Sequence, residues 1–241
     1  MTSIRQIGDK LYACGEGGQL YVRHGRDNWE FLTQDLLWDP EKFAYDADDM
    51  PDEDKDPEAY DAWEKAYDET QKNNPSYILY DLNGPSENEI YICGEDGLLY
   101  MWDGQTLEDL DQEIEGALTN IHVADNGIVW ICGHEGLLLS GNEEDRFDDH
   151  SDEENEQLFT SITTYQDRVI LASHVSPTSL FEFNKDTEEF ISIKPDIDRP
   201  LDTLYHVQAI DDVLWVVGTK AILRLKDEKW ERIEHPDIPN S

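Results

Sequence analysis

The chain has 241 residues, with 56 Asp and Glu against 18 Lys and Arg and a formal net charge of −38. That length suffices for one substantial core or one closed array. The charge repels phosphates, so it excludes direct binding to nucleic acid or an anionic membrane and favours basic partners. Three cysteines, no signal-type apolar leader and no apolar run of membrane-spanning length predict reduced thiols in a cytoplasmic protein.

The first readable element is the apolar run Leu-Tyr-Ala-Cys-Gly-Glu at 11–16, and it returns. Residues 90–95 (Ile-Tyr-Ile-Cys-Gly-Glu) and 129–134 (Val-Trp-Ile-Cys-Gly-His) repeat it, and 169–174 and 214–219 are looser copies. Aligned on Tyr12, Tyr91, Trp130, Ile170 and Trp215, the steps are 79, 39, 40 and 45 residues. A period near 40 marks a repeat architecture. The doubled first step means either a hidden repeat or an insertion.

Each repeat reads as four short strands. In the third, 119–125 is a strand, Asn126-Gly127 a turn and 128–132 an all-apolar strand buried on both faces; 137–140 and 146–149 complete the set. One such sheet cannot cover its own two faces, but radial stacking covers each with its neighbours. The expectation is an all-β, single-domain (1–241), five-bladed β-propeller of four-stranded antiparallel blades. The repeats span about 3–35, 77–113, 118–151, 159–194 and 205–235, and blade five is expected to close on blade one.

Residues 36–75 do not read as a sixth blade. Within them, 39–69 hold 14 acids and three lysines. Asp56-Pro57 is a helix start, with an Asp N-cap and Pro at the first helical position. Tyr60, Trp63 and Tyr67 then fall on one face, so 57–72 is predicted as an amphipathic helix and 44–55 as a loop. The aromatic stripe suits either a staple to the propeller or an interface, leaving Trp38, Phe43 and Tyr45 as further anchors. A second acidic stretch, 143–156, carries nine acids and one Arg.

In an up-and-down blade, the turn from strand two to strand three and the connection to the next blade leave on the same face. The insertion, residues 148–156 and the Gly-rich turns with Glu16, Glu95, Asp96, His134 and Glu135 are therefore expected to share one strongly acidic face. The predicted partner-binding residues are Asp46, Asp48, Asp49, Asp52, Glu53, Asp54, Trp38, Phe43, Tyr45, Trp63, Glu16, Glu95, Asp96, Glu135, Asp148, Asp149 and Asp152.

The segments 12–18, 91–97 and 130–136 resemble the strand and turn of bacterial β-propellers related to photosystem assembly factors and BNR-type repeats. Trp102-Asp103 is distantly similar to the WD dipeptide of WD40 repeats. The resemblance implies a propeller fold and a protein-binding role; the Asp-box of BNR repeats is missing.

Residues 52–63 miss the EF-hand pattern, with Pro57 at position six and Trp63 at position twelve. Cys14, Cys93 and Cys132 are each alone in their repeat, without zinc spacing, and read as small buried strand residues. His134 and His174, with Glu16 and Glu95 at equivalent turns, are the one candidate ring for metal or acid–base chemistry. No nucleophile or cofactor motif accompanies them, so no cofactor, catalytic residue or metal site is expected.

The leading expectation is a non-enzymatic binding module that is monomeric by itself: an immunity protein (antitoxin) occluding a basic bacterial toxin, such as a nuclease effector, electrostatically. The alternatives are an assembly or scaffolding factor, and an enzyme or metal-binding propeller using the turn ring.

Overall fold

The computed structural model describes residues 1–34, 36–37, 50–73, 77–110, 114–142, 146–152, 154–175, 179–197 and 203–233. Among them lie five four-stranded antiparallel sheets, each in simple chain order. Blade one is β1 (Ser3–Ile7), β2 (Lys10–Gly15), β3 (Gln19–Gly25) and β4 (Asn28–Phe31). Helix α1 (Pro57–Asn73) lies between this blade and the second, β5 (Leu79–Ser86), β6 (Glu89–Gly94), β7 (Leu99–Trp102) and β8 (Leu107–Asp109). Blade three is β9 (Leu118–Val123), β10 (Val129–Gly133), β11 (Leu138–Asn142) and β12 (Arg146–Asp149). Blade four is β13 (Phe159–Tyr165), β14 (Arg168–Ser173), β15 (Leu180–Asn184) and β16 (Glu189–Ser192). Blade five is β17 (Leu204–Ile210), β18 (Val213–Gly218), β19 (Ile222–Lys226) and β20 (Lys229–Ile233). The five repeats read from the sequence are thus five blades, and the long first step is an insertion.

The repeated run is the second strand of each blade, and its residues alternate between two neighbours. Tyr91, Cys93, Leu99 and Met101 of blade two pack on Leu118, Ile121, Val129 and Ile131 of blade three. Trp130 and Cys132 of blade three in turn meet Ile162, Val169 and Leu171 of blade four. Blades one and two, and blades four and five, join in the same way. This is why the strands are apolar at successive positions: both faces are inside. Cys14, Cys93 and Cys132 are free and buried, and burial pushes the thiols of Cys14 and Cys132 up to about 12.

The innermost strands are stitched by side chains at one repeated position. Asp81 Oδ2 accepts the Ile121 N–H at 3.0 Å, Asn120 Oδ1 accepts the Ile162 N–H at 2.9 Å, and Ser161 Oγ accepts the Val207 N–H at 3.1 Å. Blades two, three and four each so cap a backbone donor of the next.

Blade five does not pack on blade one in this way. Four hydrophobic clusters join the five blades in series, and none among the described residues links the last blade to the first. Ile4 and Val217, which face that boundary, are exposed, so the expected apolar packing of blade five on blade one is not seen there, although Arg5 of β1 lies near enough to His206 of β17 to lower its pKa after desolvation as the first cause. Radial contact between successive blades is a local rule. Whether five wedges complete a circle depends on the angle each pair subtends, which no local pattern encodes.

Candidate partner-binding face

The Gly-rich turn between the second and third strands sets the geometry of one face. Gly18 has φ +71°, and a Cβ there would stand 1.6 Å from the carbonyl oxygen of Leu36, the residue through which the chain leaves blade one. Gly97 and Gly136, with φ +70° and +72°, are crossed in the same way: a Cβ would stand 2.0 Å from Ile114 O at the first and 2.7 Å from Asp152 O and 2.8 Å from Asn155 Cβ at the second. The departing chain thus crosses directly over the turn. The returning chain is tied down there too: Gly18 N–H donates to Tyr77 O at 2.9 Å, and Glu16 bridges Ile78. Both ends of the insertion accordingly meet the turn that carries Glu16, as the up-and-down topology requires.

The acids of the first two turns converge. Glu16, Glu95 and Asp96 are exposed, and all three act on the hydroxyl of Tyr80, raising its pKa after the larger effect of burial. Tyr80 gave no sequence signal, because only the fold brings turns 79 residues apart around it. Glu135 is exposed on the third turn, and Asp152 is exposed on the connection above it. Asp148 and Asp149 are exposed in β12, where the chain approaches that connection.

Farther round, the face changes character. His134 lies near enough to His174 to be held less basic, after desolvation as the first cause. The His174 ring meets Tyr205 edge-on at 4.8 Å, and Thr219 Oγ1 donates to the Tyr205 hydroxyl at 3.4 Å. The candidate turn ring is therefore split: Glu16 and Glu95 gather at Tyr80, and the two histidines gather toward Tyr205. Among the described residues no group of three or more His, Cys, Asp or Glu has the arrangement of a metal site.

An open cleft of about 860 Å³ runs between residues 152–157 and β16. Asp152, Glu154, Glu156, Glu188 and Glu189 rim it, and Phe181, Phe190 and Ile191 line its apolar part. Glu188 and Glu189 come from the next repeat and were invisible as neighbours of the second acidic stretch.

In the insertion, Asp52 accepts the Asp54 N–H at 3.2 Å and pairs with Lys55, and the Asp56 carboxylate caps the helix by accepting the Ala59 N–H at 3.2 Å. Asp52, Glu53 and Asp54 are exposed. Helix α1 begins at Pro57 as predicted. Its aromatics stack along one another, Tyr60 to Trp63 at 6.5 Å and Trp63 to Tyr67 at 5.1 Å, half-buried and outside the four blade clusters. Trp38, Phe43, Tyr45, Asp46, Asp48 and Asp49 lie outside the described residues. No described helix is long and apolar enough to cross a membrane.

No protein-family model matches the sequence. Over 235 residues, 97% of this chain, it is 24% identical to Immune protein Tsi7 of Pseudomonas aeruginosa, and it spans 64% of that protein's length. Among solved structures it is similar to virginiamycin B lyase from Staphylococcus aureus (TM-score 0.67, 10% identity, 97% of this chain and 69% of that one). It is also similar to YCF48 bound to D1 peptide (TM-score 0.60, 13% identity, 98% and 67%). The chain is a five-bladed β-propeller, similar over nearly all its length to an immune protein.

Proposed function

We propose that this chain is an immunity protein that binds and neutralises a cognate toxin without chemistry of its own. The observation that carries the reading is the match to an immune protein over 97% of the chain, on a fold whose turns and blade connections gather carboxylates. The finer reading is electrostatic. The toxin is basic, as a nuclease with a cationic substrate groove is, and the acidic face occupies that groove. The Glu16–Glu95–Asp96 cluster, the insertion acids and the cleft rimmed by Asp152 and Glu188 offer carboxylates to its lysines and arginines, with Phe190 and Ile191 beneath their aliphatic stems. Neutralisation takes place in the cytoplasm, where a toxin acting on nucleic acid meets its target. The scaffold and enzyme alternatives have weaker footing, because likeness to YCF48 and to a lyase at 10–13% identity extends to fold alone.

The test is protection. A candidate toxin, sought among the genes adjoining this one, is expressed in a sensitive host with and without this chain, and survival and co-purification are measured. Rescue together with a stable complex is expected. A chain that neither rescues nor binds that toxin removes the reading.

A further inference from the structure

The face opposite the Gly-rich turns carries a cavity of its own. In an up-and-down blade, the turns between strands one and two and between strands three and four leave on that opposite face. There the boundary between blades one and two opens into a pocket of about 450 Å³. That volume falls within the ~300–1,000 Å³ range of small-molecule sites. Each carboxylate in the pocket already has a donor. Lys10 Nζ lies 2.6 Å from Glu87 Oε2, and the Asp9 N–H donates to Glu87 Oε1 at 3.2 Å. The Lys10–Glu87 hydrogen bond is the first cause both of a raised Lys10 pKa and of a lowered Glu87 pKa. His24 Nε2 lies 2.5 Å from Glu30 Oε2. The pocket therefore does not call for a cation, although the chain as a whole is strongly anionic.

What the pocket holds unmatched is hydrogen-bonding capacity. Tyr12 is 3% exposed and Trp102 8% exposed, and both line it. Among the described residues neither the Tyr12 hydroxyl nor Trp102 Nε1 makes a hydrogen bond, and neither atom is sealed inside the boundary. Polar atoms on side chains buried this deeply are nearly always paired. Burial first and Glu87 second raise the Tyr12 pKa, which places the hydroxyl beside the Lys10–Glu87 wall. The amides of Asn88 and Gln105 stand exposed at the rim. Asp103 fixes the turn that carries Gln105, accepting the Gln105 and Thr106 N–H groups at 2.7 and 2.6 Å.

We propose that this pocket binds a neutral sugar ring. Trp102 supplies a donor, the Tyr12 hydroxyl donates or accepts, and the rim amides do both, the mixture that a row of ring hydroxyls needs. With its charges matched internally, the site favours an uncharged ligand over an amine or an anion, either of which would be desolvated there without a counter-charge. So little of Trp102 is exposed that scant ring face is left for stacking, which disfavours a flat base. The pocket lies away from the acidic face, so the proposal stands or falls independently of toxin binding.

Saturation-transfer NMR and calorimetry on the full chain test this, with methyl glucoside, methyl galactoside and N-acetylglucosamine as probes and adenosine as the flat contrast. Saturable one-to-one binding of at least one of the sugars is expected, in the millimolar range proper to so small a ligand. Tyr12→Phe and Trp102→Phe keep an aromatic ring while deleting the polar atom, and each should weaken binding about three- to tenfold. Gln105→Ala, at an exposed turn, should weaken it by a similar factor and serves in their place should either core variant fail to fold by circular dichroism. Absence of saturable sugar binding, which would mean that water alone fills the pocket, overturns the proposal. So does binding of adenosine in place of the sugars, or sugar binding that these substitutions leave untouched.

Discussion

Arg5 Nη2 donates to Asp81 Oδ2 at 2.9 Å across the boundary between blades one and two. Asp81 is 3% exposed. Its carboxylate also accepts from Ser3 Oγ at 2.5 Å, Asn120 Nδ2 at 2.6 Å and the Ile121 N–H, so one buried charge fastens three blades. Removing one partner of such a pair strands the other groups. Asp81→Ala should lower stability by about 3–5 kcal/mol, and Asp81→Asn by about 1–3 kcal/mol. Denaturant unfolding checks both, and a loss under 1 kcal/mol for the alanine variant contradicts the role assigned to Asp81.

Two glycines separate conformational strain from collision. Gly127 has φ +83° with nothing within 4 Å of a built Cβ, whereas Gly18 at φ +71° has the Leu36 carbonyl oxygen 1.6 Å away. Gly127→Ala should cost about 1 kcal/mol from the left-handed backbone alone. Gly18→Ala should cost several times as much and displace the start of the insertion, read as faster amide exchange at Leu36 and Leu37. Equal losses would mean that the chain crossing above Gly18 moves aside freely.

His122 predicts a pH dependence. Its Nε2 accepts the Thr164 N–H at 3.1 Å. Desolvation first, and Arg5 second, lower its pKa from 6.5 to about 4. The unfolded chain therefore takes up this proton at a higher pH than the folded one. The contribution is complete above pH 6.5 and is lost as pH falls from there toward 4, amounting to about 2–3 kcal/mol. His134 and His206 are shifted in the same direction. Carboxylate protonation relieves surface repulsion over part of this range, so the readout is a difference: His122→Gln should lose less stability between pH 6.5 and 4 than the parent. Parallel pH profiles would refute it.

Reversing the charges of Asp48, Asp49, Asp52 and Asp54 should slow association with the cognate toxin more than it speeds dissociation, and should flatten the salt dependence of the on-rate. Stopped-flow mixing at two ionic strengths reads both. An unchanged on-rate at low salt would reduce the acidic face to a solubility device.

The repeat period, the strand and turn assignments and the helix start at Asp56-Pro57 were legible in the residues, because each rests on neighbours a few positions apart: apolar alternation, turn glycines, a capping carboxylate. The shared exit of turns and connections followed from up-and-down order alone. Tertiary structure decided the rest. Asp81, Tyr80 and Glu188 acquire their roles from partners one or two repeats away, and only stacked blades set those distances. Only the stacking of whole blades decided that Cys93 and Leu82 are sealed while Val217 and Ile4 remain exposed, because each is covered or not by a neighbouring blade rather than by residues near it in sequence.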